Sequence, residues 1–191
     1  MAGAVPDERG VSLIELLVAM AMAGLVMAAT VTLLLAGQAA HAVGTARAEA
    51  TQSARVALER MGSELRQAGY DPQGTRFEPI LVAEPARVTL QRDLNENGVI
   101  DPTREQITYL LRGTVLRREA GGGAQPLAEG VSGLWLTYYD RADTPTTDPS
   151  QVASVGIRIE VSRGVAFPLA PTVMETLVRF RNEKRPTPPP S

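Results

Sequence analysis

The chain has 191 residues, enough for one domain and an appendage, and its formal net charge of -2 excludes the broad cationic surface that a nucleic-acid partner would need. It contains no cysteine and a single histidine, His41. That excludes disulfides, thiolate sites, His-pair metal sites and a serine triad with a histidine to spare.

The first element in chain order is apolar. Val11 to Gly37 is a run of twenty-seven residues with one formal charge, Glu15. About 20 apolar residues span a bilayer as a helix, so the run is long enough to cross one. Three readings compete for it. Ala40-His41-Ala42 resembles a small-residue signal cleavage site, but a secretory core is shorter, and Met1 to Gly10 carries Asp7, Glu8 and Arg9. A plain membrane anchor accounts for the length and leaves Glu15 unexplained, because a carboxylate in an apolar helix is costly.

The third reading takes the pattern whole. Gly10-Val11-Ser12-Leu13-Ile14-Glu15-Leu16-Leu17-Val18-Ala19 resembles the prepilin cleavage and methylation motif of type IV pilins and type II secretion pseudopilins. The resemblance implies a leader, residues 1–10, that a prepilin peptidase removes by cutting between Gly10 and Val11. It implies that Val11 becomes the methylated amino terminus, and that Glu15 sets the register of an incoming subunit by neutralising the Val11 amine of a neighbour. Residues 11–37 are then the transmembrane and polymerisation helix.

From residue 38 to 69 the composition turns to Ala, Arg, Glu and Gln. Ala50, Ala54, Ala57, Leu58, Met61, Leu65 and Ala68 recur at spacings of three and four, which predicts an amphipathic helix lying against the head. Arg47, Glu49, Arg55, Glu59, Arg60, Glu64 and Arg66 are expected on its polar faces. Gly69 and Pro72 stop it, with Gly69 in the left-handed cap. Gly24, Thr30, Val31 and Thr32 are expected to interrupt the helix within the apolar run.

From residue 70 to 182 the period falls to two. Ile80 to Val82, Val88 to Gln91, Gln106 to Leu111, Val115 to Arg118, Leu134 to Asp140, Val155 to Ser162 and Thr172 to Arg181 are the predicted strands. Arg112-Gly113-Thr114 reads as a hairpin turn, and Gly121 to Gly123 and Thr144 to Pro149 as loops. A helix followed by antiparallel strands is α+β order, and it is also the pilin order. Trp135, Tyr138 and Tyr139 are expected to pack, His41 to lie on the helix surface, and residues 183–191, with Pro186 to Pro190, to form an extended tail.

One loop carries chemistry. Asp93, Asn95 and Asn97, followed by Gly98, repeat the opening of a calcium loop, with the Val99 carbonyl and Asp101 as further oxygen ligands. The twelfth position is Arg104 rather than glutamate, and Glu105 follows one place later. The residues admit a Ca2+ site at Asp93, Asn95, Asn97, Val99, Asp101 and Glu105, or a tight turn that needs no ion. No nucleophile elbow, phosphate loop or metalloprotease spacing occurs, so the chain is expected not to be an enzyme.

Glu64-Leu65-Arg66-Gln67-Ala68-Gly69-Tyr70, Glu105-Gln106-Ile107-Thr108-Tyr109, Glu129-Gly130-Val131 and Thr176 to Asn182 are similar to blocks of PilW-type minor pilins and the related J-type pseudopilins. That likeness implies a minor subunit near the tip of a type IV pilus, with other minor pilins, a major pilin, an inner-membrane assembly platform and membrane lipid as partners. A type II secretion pseudopilin, a DNA-uptake machine and a tip-adhesin head are alternative placements.

Overall fold

The computed structural model describes residues 10–162 and 171–182. The expected leader up to residue 9 and the expected tail from residue 183 lie outside the described residues. The chain divides into two units, one ending at Gly44 and one beginning at Thr45.

Helix α1 covers Leu13–Arg66. Gly24 and Thr30 to Thr32 are helical, against the expectation of an interruption. The physical reason is local: the Thr30 hydroxyl donates to the Val26 carbonyl at 2.8 Å and the Thr32 hydroxyl to the Ala28 carbonyl at 2.8 Å. These bonds to the preceding turn satisfy both hydroxyls within the helix, and the stretch contains no proline to remove a backbone donor.

In the second unit the predicted stripe is the buried one. Ala50, Ala54, Ala57, Met61, Leu65 and Ala68 are at most 2% exposed, and Leu58 packs at the margin of the same cluster. Alanine at positions 50, 54 and 57 lets the helix backbone approach the strands closely. Glu64 departs from expectation, because it is buried with the stripe rather than solvated. The helix ends as predicted. Gly69 has φ +72°, its N–H donates to the Gln91 carbonyl at 2.9 Å, and a Cβ there would lie 2.9 Å from the Asn182 carbonyl oxygen.

Eight strands follow: β1 Ile80–Glu84, β2 Arg87–Gln91, β3 Gln106–Arg112, β4 Val115–Glu119, β5 Ala124–Glu129, β6 Val131–Tyr139, β7 Ser154–Val161 and β8 Thr172–Arg179. They form an antiparallel five-stranded sheet in the order β1-β2-β3-β4-β5 and an antiparallel three-stranded sheet in the order β6-β7-β8. The architecture is α+β, a long helix with an apolar first half and antiparallel sheets against its second half.

Strand β5 was not expected. Its Ala-Gln-Pro-Leu-Ala-Glu has no β-branched residue, and Pro126 is tolerated because β5 is an edge. Strand β6 begins at Val131, three residues before the expected start, across the Gly130 turn at φ +76°. The Arg112-Gly113-Thr114 turn is present, with Gly113 at φ +59°.

One core serves both sheets and the helix. Val88, Leu90, Ile107, Tyr109 and Leu116 enter it from the first sheet, and Val131, Val155, Ile157, Ile159 and Val178 from the second. On β7 the expected alternation holds, with Val155, Ile157, Ile159 and Val161 inward.

Candidate functional site

The amino-terminal segment places its chemistry at a helix start. Gly10, Val11 and Ser12 precede the helix, and the Leu16 N–H donates to the Ser12 carbonyl at 3.0 Å to close the first turn. A Cβ on Gly10 would meet nothing within 4 Å, and Gly10 and Val11 are both exposed. Glu15 lies in the first turn of α1, where the positive end of the helix dipole favours a carboxylate. It is exposed and has no ion pair among the described residues. The apolar side chains beyond it, including Leu16, Leu17, Val18, Leu25, Leu33 and Leu35, are all exposed. This helix is long and apolar enough to cross a membrane.

The head holds its helix by a buried ionic cluster. Glu64 is 8% exposed, and Arg118 of β4 grips its carboxylate at both oxygens, Nε at 3.0 Å and Nη2 at 2.9 Å. The Tyr109 hydroxyl of β3 donates to Glu64 Oε2, and Arg60, one turn back on the helix, lies 3.5 Å from Oε1. Burial by itself would raise the Glu64 carboxyl, but the hydrogen bonds from Arg118 and Tyr109 and the Arg118 charge outweigh it and hold the group below its usual range. Burial and the carboxylate push the Tyr109 phenol well above its usual value. The residue pattern missed this cluster. A signal was present in Arg118, which shares the inward face of Leu116 by the two-residue period.

The Asp93 to Glu105 loop is tied together by its own side chains. Asp93, fully buried, accepts from the Asn97 N–H at 3.2 Å through Oδ1 and from the Gly98 N–H at 2.8 Å through Oδ2. Glu105, 1% exposed, accepts from the Leu94 and Asn95 N–H groups through Oε1 and from the Asp101 N–H through Oε2. Asn95 and Asn97 accept from the N–H groups two residues ahead, at Asn97 and Val99, and Asp101 accepts from Thr103. Glu105 therefore does join this loop, as an acceptor that closes it. Among the described residues no three His, Cys, Asp or Glu side chains gather into a metal site.

The aromatic residues of β6 divide. Tyr138 packs as expected, its hydroxyl donating to the Glu84 carbonyl at 2.7 Å. Trp135 does not pack inward. It is 44% exposed on the outer face of the three-stranded sheet, with the Arg158 guanidinium 5.5 Å from its ring centroid. The ring lies over Gly133, where a Cβ would come within 2.0 Å of it, so only glycine leaves room for the indole. His41 is exposed on α1, as expected.

Residues 6–31 match the family model of the prokaryotic N-terminal methylation motif. The match covers Gly10, Val11, Glu15 and the apolar run as far as Val31. It supports a type IV pilin-like or pseudopilin protein, processed by a prepilin peptidase and partnered by other pilins. With the exposed apolar helix, the prepilin-type signal fits anchoring in a membrane followed by incorporation into a filament. No curated protein matches the chain.

Proposed function

We propose that this chain is a minor pilin: a non-catalytic subunit that helps to initiate or cap a type IV pilus and sits near its tip. Prepilin peptidase cuts between Gly10 and Val11, Val11 is N-methylated, and the subunit waits in the inner membrane with its head on the outer side. The assembly platform then moves it into contact with other minor pilins and the major pilin. The observation that carries this reading is Glu15: a carboxylate in the first helical turn, five residues after Gly10, without an ion pair among the described residues and followed by exposed apolar side chains. In a lipid-like setting such a group needs a cation, and cleavage creates one at Val11 of a neighbouring subunit.

The finer assignment to the PilW type rests on the blocks named above, and these coincide with the seam between helix and sheets. Glu64 and Leu65 lie in the last turn of the helix and Ala68 and Gly69 in the turn after it, Ile107 and Tyr109 enter the same core from β3, and Val178 and Phe180 from β8 and the residue after it. Two measurements test the proposal. Mass spectrometry of the mature amino terminus is expected to find methylated Val11; a chain beginning at Met1, or beyond Ala42, ends it. Glu15→Ala is expected to be cleaved normally and to fail to enter filaments; normal incorporation would remove Glu15 from the mechanism.

A further inference from the structure

The two sheets have four edge strands, and three carry features that block pairing with another chain. Strand β1 is five residues long with a register shift between Ile80 and Val82. Strand β5 contains Pro126 and lies beyond a shift between Leu116 and Arg117. Strand β6 has a shift between Val131 and Gly133, and other segments cover its outer side: Leu136 N–H donates to the Pro85 carbonyl at 2.7 Å and Thr146 N–H to the Tyr138 carbonyl at 2.9 Å. Short strands, bulges, proline and covering segments are the usual defences of a sheet edge.

Strand β8 has none of them. It pairs with β7 over eight successive residues without a shift and contains neither proline nor lysine. Its free side follows from the bonding alternation. Phe180 N–H donates to the Ala153 carbonyl at 3.0 Å, so Val178, Thr176 and Met174 bond β7, while Val173, Glu175, Leu177 and Arg179 turn their backbone groups outward. No described residue bonds those four amides. The next outward amide, Arg181, is taken by the Arg66 carbonyl at the end of α1. The side chains at the four positions are exposed: Val173 43%, Glu175 61%, Leu177 61% and Arg179 58%.

We propose that the β8 edge receives an extended strand of a different filament subunit, added antiparallel to β8. A row of unpaired N–H and C=O groups is complementary to extended backbone, and the order apolar, acidic, apolar, basic along Val173, Glu175, Leu177 and Arg179 sets what the strand offers, its charges joining Arg158, 3.5 Å from Glu175, and Asp143, 2.6 Å from Arg179. Read in its own direction, the incoming strand has an acid opposite Arg179, an apolar residue opposite Leu177, a base opposite Glu175 and an apolar residue opposite Val173. A second copy of β8 would meet the charge pattern with Leu177 opposite Leu177. Geometry excludes it for subunits anchored alike. The Arg47 guanidinium reaches the Thr172 hydroxyl at 3.3 Å, Gly62 packs near Val178, and Arg66 bonds Arg181, so β8 runs in the same direction as the helix beside it. Antiparallel pairing of two copies would point their helices opposite ways. The choice of a filament neighbour rests on the proposed function; the pairing itself does not.

The test uses the full chain in detergent micelles, residue-resolved amide exchange, and a synthetic peptide Asp-Thr-Val-Thr-Lys-Thr-Val, with its charge-exchanged form Lys-Thr-Val-Thr-Asp-Thr-Val as control. The free chain is expected to exchange rapidly at Val173, Glu175, Leu177 and Arg179. The first peptide is expected to slow those amides about tenfold or more, and the control to leave them fast. Leu177→Lys, which keeps every bond to β7, should abolish the protection without moving the thermal midpoint, and the double variant Glu175→Arg with Arg179→Glu should transfer it to the control peptide. Slow exchange in the free chain, or equal protection by both peptides or by neither, overturns the proposal. No filament is needed, so this result stands apart from the cleavage and Glu15 tests.

Discussion

Glu64 is tied to Arg118, Tyr109 and Arg60 in the seam between helix and sheet, and its removal leaves the half-buried Arg118 guanidinium and the buried Tyr109 hydroxyl without their acceptor. Glu64→Ala is therefore expected to destabilise the head by about 3 kcal/mol in denaturant unfolding, the cost of breaking a buried pair from one side. The pH dependence has a definite sign. A carboxyl held below its usual range stabilises the fold above its unfolded pKa, and that contribution is lost as pH falls through the folded value. The thermal midpoint should fall on acidification below the ordinary carboxylate range, and Glu64→Gln should flatten part of that fall. Gly69→Ala is expected to cost more than about 1 kcal/mol, because φ +72° is a left-handed conformation and the added Cβ would press on the Asn182 carbonyl and on Pro79. Of these two residues, Gly69 was legible in the sequence, since a glycine after a periodic run followed by a proline has one common use. Glu64 was not. Period alone assigns acids to the wet face, and only a cation on an inward strand position says otherwise.

At the scale of elements, the helix stripe and seven of the eight strands could be read from period and punctuation, and β5 could not. Its residues have no preference for extended structure, and it is a strand because β4 offers it a ladder. The unbroken run through Thr30 and Thr32 was hidden for a related reason: rotamer cost was visible, but the compensating hydroxyl bonds to Val26 and Ala28 were not. The seam between helix and sheet makes its own prediction. Ala54 is fully buried under the strands, so Ala54→Leu is expected to overpack it and lower stability by about 1–3 kcal/mol, measured as a shift of the denaturation midpoint, while Arg55→Leu on the outer face changes little.

For the whole molecule, the division at Gly44 and Thr45 separates a unit with its own core from one in which no described residue is buried. A chain beginning at Thr45 is expected to be soluble without detergent and to unfold with a single cooperative transition. Aggregation of that fragment, or loss of its transition, would show that the head depends on the preceding segment.

The exposed apolar half of α1 has a consequence for how such a subunit chooses its destination. Hydrocarbon tails and a bundle of leucine-rich helices are nearly equivalent solvents for those side chains, so moving from one to the other supplies little hydrophobic drive. Transfer between two such similar phases is governed by the few groups that distinguish them. In this segment the group with the largest preference is a single carboxylate, which finds a countercharge among neighbouring amino termini and none among hydrocarbon tails.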